Sequence, residues 1–192
     1  MIRHRGLTLF ELLLVLVLLT VLGALSLPVL EGAFSRSRLR HAGDQVRGAW
    51  MKARLASMQS GQTHAFRCRW GERYFIVQPY AAVAKGEEPE FKTPEEREKD
   101  PPGTPHVEEL AEGVTFLHGQ WLASDTPPGE MPEMAEPHRG EWSDPILFLP
   151  DGTTADASLA LSNDSGHQVR ATLRGLTGVS VIGEVGDVED RP

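Results

Sequence analysis

The amino-acid sequence predicts an α+β protein: a long N-terminal α-helix, transmembrane in its first half, packed on a small antiparallel β-sandwich or curled β-sheet head. Three observations lead there. Residues 7–30 are almost wholly apolar, residues 39–56 carry apolar side chains at alternating spacings of three and four, and beyond Thr63 the period changes to two. The division that follows is a leader at 1–6, a membrane helix at 7–30, its continuation at 31–60, and a β-rich head at 61–192.

The first helix is long enough to span a bilayer. Residues 12–22 read LLLVLVLLTVL, and at about 1.5 Å per residue the span 7–30 is roughly 36 Å, against a hydrocarbon core of about 30 Å. Arg3, His4 and Arg5 precede it, which places the N-terminus in the cytoplasm and the head across the membrane. The run is too long for a secretory signal core, and no clear small-x-small cleavage site closes it. Glu11 stands four positions inside this span. A charge at membrane depth costs on the order of 3 kcal/mol, so the carboxylate either snorkels toward headgroups or meets a cation in the same apolar layer. An α-amino group freed by proteolysis at the head of the helix is such a cation.

The second helical half shows one apolar stripe: Leu39, Ala42, Val46, Ala49, Ala53 and Ala56, broadened by Trp50, Leu55 and Met58. Arg36, Arg38, Arg40, Asp44, Arg47 and Lys52 lie largely off it. Ser60-Gly61 is the expected stop, while Pro28, Gly23 and Gly32 are the expected places for a bend.

In the head, Phe66, Cys68 and Trp70 alternate with Arg67 and Arg69, and Gly71-Glu72 then leads into residues 74–78. This predicts a hairpin with a two-residue turn. Further strands are expected at 114–122, 146–149, 159–161, 169–173 and 179–182. Residues 85–106 and 124–143 are charged and proline-rich, and are expected to be exposed loops or disordered inserts.

Composition narrows the function. The net charge of −8 disfavours nucleic acid, whose binding rests on neutralising phosphates; Arg170 with Arg174 is the best basic pair on this background. Cys68 is the single cysteine, which excludes an internal disulfide and reads as a small buried apolar group. His64, His106, His118, His138 and His167 are scattered, and neither G-x-S-x-G nor H-E-x-x-H occurs. Asp151, Asp156, Asn163 and Asp164 offer oxygens without the spacing of a calcium loop. No catalytic group, cofactor or metal is expected.

The stretch Arg5-Gly6-Leu7-Thr8-Leu9-Phe10-Glu11-Leu12-Leu13 resembles the prepilin N-terminal motif. The resemblance implies that a prepilin peptidase cuts between Gly6 and Leu7 and methylates Leu7, where the family usually has phenylalanine. It also implies that Glu11 meets the new amine of a neighbouring subunit during assembly, and that Pro28 kinks the helix. Phe148-Leu149-Pro150-Asp151-Gly152 and Gly175-Leu176-Thr177-Gly178 make residues 40–185 resemble the GspH/FimT class of minor pseudopilins. That implies a structural, non-enzymatic subunit of the periplasmic pseudopilus that drives export by a type II secretion system. Its implied partners are the prepilin peptidase, other major and minor pseudopilins, inner-membrane lipid and the secretion platform, with no nucleic acid. Major pseudopilins of the wider family bind calcium. The alternatives are a FimT-like minor type IV pilus subunit, with or without a part in DNA uptake, and a membrane-tethered periplasmic enzyme. The expected location is the bacterial inner membrane, single-pass, with the head periplasmic.

Overall fold

A computed structural model of the chain describes residues 9–101, 103–121 and 139–187. The predicted leader, Leu7, His138 and most of the second insert therefore lie outside the described residues. One helix, α1 (Leu9–Ser60), leads into β1 (His64–Cys68), β2 (Tyr74–Pro79) and two short helices, α2 (Tyr80–Ala84) and α3 (Pro94–Arg97). The strands β3 (Glu108–Glu109), β4 (Val114–Trp121), β5 (Ile146–Phe148), β6 (Ala157–Asn163), β7 (His167–Arg174), β8 (Val179–Ile182) and β9 (Gly186–Asp187) follow. They form two antiparallel sheets, one ordered β3-β2-β1-β5 and the other β4-β6-β7-β8, with β9 on β7 as well.

Helix α1 ends where a glycine can end it. Gly61 takes a φ of 67° and returns its N–H to the Ser57 carbonyl, satisfying one of the carbonyls that a helix end leaves bare. Its second half is the spine of the head: Leu39, Ala42, Val46, Ala49, Trp50 and Ala53 share one core with Phe66, Cys68 and Phe75 of the first sheet and Leu159, Leu161, Val169 and Ala171 of the second. At Gly43 an added Cβ would come within 2.9 Å of Ile182, so the missing side chain lets the helix lie close to β8.

The stripe departs from expectation at its C-terminal end. Leu55 and Met58 face outward, Ala56 is half-buried, and Ser57 is fully buried instead. Position 57 follows Ala53 by four residues and so continues the inward line, and its hydroxyl contacts the carbonyls of Arg54 and Leu149. A serine satisfied in this way is tolerated where an apolar side chain was expected.

The turn between β1 and β2 is also wider than two residues. Arg69 and Tyr74 are still bonded, but Trp70, Gly71 and Glu72 leave the hairpin to meet the other sheet. The Gly71 N–H donates to the Phe116 carbonyl and the Phe116 N–H to that of Glu72, beside an irregularity between Phe116 and His118 in the pairing of β4 with β6. The turn is thus a seam between the two sheets.

The first insert is mostly exposed, as its composition predicts, yet it is structured. After α2 packs on β1 and β2, the Thr93 N–H and hydroxyl both donate to the Glu96 carboxylate at the start of α3, while Lys92 pairs with Asp100 at 2.9 Å. On β1 and β2 Ala65, Ile76 and Gln78 are buried outside the main core, as is Val107 just before β3. At the other insert, residues 139–143 run beside the end of β1: Arg69 pairs with Trp142, and the Ser143 N–H donates to the Cys68 carbonyl.

Burial pushes the Cys68 thiol up from its ordinary 9.0 to about 12. In the unfolded chain the thiol ionises near 9.0 while the folded chain keeps it protonated. Its contribution is therefore intact below pH 9.0 and is lost as the pH rises toward about 12, with a slope of up to about 1.4 kcal/mol per pH unit. Urea melts across this range should fall more steeply for the wild type than for Cys68→Ala; parallel slopes would show that the thiol does not control alkaline stability.

Candidate functional site

The predicted assembly residue Glu11 lies in the first turn of α1. From Leu9 to Leu22 the large apolar side chains are 47% to 85% exposed and point in every direction around the helix. Among the described residues no groove of the head receives them. An apolar helix surface of this kind, left bare all round, is matched to lipid or to other helices rather than to water. Glu11 is set among these side chains and is itself exposed, so its carboxylate is presented at the surface of the stem.

Among the described residues no helix is long and apolar enough to cross a membrane. The described side chains of the apolar run reach only from Leu9 to Leu22, roughly 21 Å of helix, short of a core of about 30 Å. Residues 23–30, which complete the predicted span, continue as helical backbone. Pro28 falls inside α1, which runs on through it; having no N–H, it leaves the carbonyl four residues earlier without its usual helical donor. Gly6 and Leu7, the predicted cleavage and methylation positions, lie outside the described residues.

The head assigns ordinary structural work to the residues weighed for chemistry. The Asp151 carboxylate accepts from the N–H and hydroxyl of Thr153, which holds its pKa below the usual carboxylate value. Asp156 accepts from the Gly175 N–H. Asn163 accepts from the N–H groups of Ser165 and His167 and donates to Ser35 about midway along α1. Among the described residues no group of three or more His, Cys, Asp or Glu is placed to hold a metal ion. Arg170 and Arg174 share the exposed face of β7, four residues and so roughly 13 Å apart.

Sequence reading overlooked one arrangement: an arginine and aromatic groove between the two inserts, where Arg67, Arg69, Phe91 and Trp142 meet. The alternation of arginines along β1 was the available signal. Their ring partners are distant in the chain, and no local pattern joins them.

Two solved structures of the minor pseudopilin EpsH from the Type 2 Secretion System of Vibrio cholerae resemble this chain. The likeness runs the length of the EpsH chains. One match covers 77% of this chain and 97% of the other at 12% identity and a TM-score of 0.45. The second covers 80% and 99% at 14% identity and a TM-score of 0.48. No family model and no curated protein matches the sequence. At these identities and scores the likeness describes arrangement alone, and function is argued from this chain's own residues.

Proposed function

We propose that the chain is a minor pseudopilin, a non-enzymatic subunit anchored in the inner membrane by residues 7–30 and assembled through that helix into the periplasmic pseudopilus of a type II secretion system. The observation that carries the reading is a single helix with two unlike halves. From Leu9 to Leu22 its described side chains are exposed and, apart from Glu11 and Thr20, apolar, and its second half is the buried spine of the head. A subunit that must leave the bilayer and stack beside its neighbours needs such a stem. A merely tethered enzyme has no use for a carboxylate at membrane depth. Partners on this reading are the prepilin peptidase, other major and minor pseudopilins, membrane lipid and the secretion platform. A minor type IV pilus subunit would have the same stem, and the neighbouring genes distinguish the two.

Processing is the direct test. Mass spectrometry of membrane-extracted protein should show a chain beginning at methylated Leu7. Retention of residues 1–6 in a strain with active peptidase, or cleavage near Ser26, would overturn the assignment. Gly6→Leu should leave the leader in place.

A further inference from the structure

Outside the main core, on the first sheet, three aromatic rings lie in sequence. Tyr74 meets Phe91 edge-on at 5.0 Å, and Phe91 meets Trp142 at 6.3 Å with an inclination of 32°. Each carries a guanidinium: Arg73 over Tyr74, Arg69 over Phe91 and Arg67 over Trp142, all between 5.5 and 5.8 Å. The last two pairs, with Glu88, Pro89, Gly140 and Glu141, line an open groove of about 440 Å³. Neither Phe91 nor Trp142 belongs to the main hydrophobic core, and Phe91 is 52% exposed.

The charges in this cluster do not balance evenly. Arg73 pairs with Glu109 at 2.8 Å and Arg69 with Glu72 at 3.2 Å. Among the described residues no carboxylate stands within ion-pair distance of half-buried Arg67. Its Nε donates to the Ser143 carbonyl at 2.9 Å, which fixes the guanidinium in place over Trp142. Asp144 and then Glu88 act on its charge from beyond ion-pair distance, and a planar fork of N–H donors is suited to a carboxylate at closer range. Glu88 and Glu141 at the lip oppose a run of acids, so the groove favours a single one. Rigid Trp, Phe and Arg side chains in a preformed cleft are also the composition that carries most of the binding energy at protein interfaces, and aromatic-lined grooves accept extended proline-containing chains.

We propose that this groove docks an extended segment of a partner protein, with one Asp or Glu carboxylate on Arg67 and a flanking proline or apolar side chain against Phe91 and Trp142. The inference uses groups of the head alone and does not depend on how the stem is anchored.

The probe is the peptide acetyl-Ala-Pro-Glu-Pro-Ala-amide, beside its Gln and Lys counterparts, titrated into the detergent-solubilised full chain. The readout is the indole N–H resonance of Trp142, assigned with Trp142→Phe. The Glu peptide should shift this resonance with a Kd of about 1 mM, and the Gln peptide should bind about tenfold more weakly for want of a charge-assisted bond. Arg67→Lys, which keeps the charge but loses the fork, should weaken the Glu peptide. So should Phe91→Ala, a change at an exposed position that leaves the fold in place. Equal binding of the Glu and Gln peptides, a preference for the Lys peptide, undiminished binding in Phe91→Ala, or no shift at about 10 mM peptide would each overturn the proposal.

Discussion

Trp50→Ala should lower the stability of the head by about 3–5 kcal/mol, the range for removing a large aromatic side chain from a packed core. Domains of this size are stable by only about 5–15 kcal/mol, so the loss is about a fifth of the total or more. Trp50 is 1% exposed and meets Phe66 edge-on at 6.0 Å, where the helix joins the first sheet. A cavity there touches both, and neither can collapse without leaving the other. Trp50→Phe separates packing from polarity. Among the described residues the buried indole Nε1 has no hydrogen-bond partner, and a buried donor left unsatisfied costs about 1–3 kcal/mol. Removing it should offset part of the lost volume and bring the net cost of Trp50→Phe below about 1.5 kcal/mol. Urea melts followed by near-ultraviolet circular dichroism measure both variants. A loss below about 1 kcal/mol for Trp50→Ala would mean that the helix is not packed on the sheets as described.

Glu11→Gln should leave membrane insertion intact or improved while incorporation into the filament falls by about tenfold or more. The amide keeps the size of the side chain and removes the charge that insertion must carry into the bilayer. If Glu11 meets the freed amine of a neighbour, the same change strands that amine. Breaking a buried pair from one side costs about 3–5 kcal/mol, an upper bound here because the amine can turn toward headgroups. A third of that is about a tenfold loss in association. The measurement is cross-linking to filament neighbours in membranes, beside wild type at equal expression. Undiminished cross-linking and secretion would show that Glu11 makes no assembly contact, as for a subunit at the filament tip with no neighbour above it.

The stability test and the assembly test address opposite ends of α1, and those ends were not equally legible in the sequence. The spacing of Leu39, Ala42, Val46, Ala49 and Ala53 identified the buried line of the helix, because a helix of 3.6 residues per turn permits only one such line. Near residue 57 the same reasoning failed. Local pattern ranks Leu55 and Met58 above a serine, but the choice depends on the Leu149 carbonyl just past β5, far along the chain. The Gly71-Glu72 turn failed for a similar reason: hairpin chemistry favours a tight loop there, and bonds to Phe116 in another sheet open it.

By itself, the sequence determined the features set by neighbours along the chain: the helix and its stop at Ser60-Gly61, the strand positions from 114 onward, the apolar stem with its one carboxylate, and the turn roles of Asp151 and Asn163. Periodicity, capping and backbone preference act over a few residues, so each of these is written locally. Only the tertiary structure decided how the strands divide into two sheets, that Ala65, Ile76 and Gln78 are buried outside the main core, and that Arg67 and Arg69 meet Phe91 and Trp142. Those outcomes turn on which apolar faces remain uncovered after the helix has docked. That is a property of the assembled surface, and no window of sequence contains it.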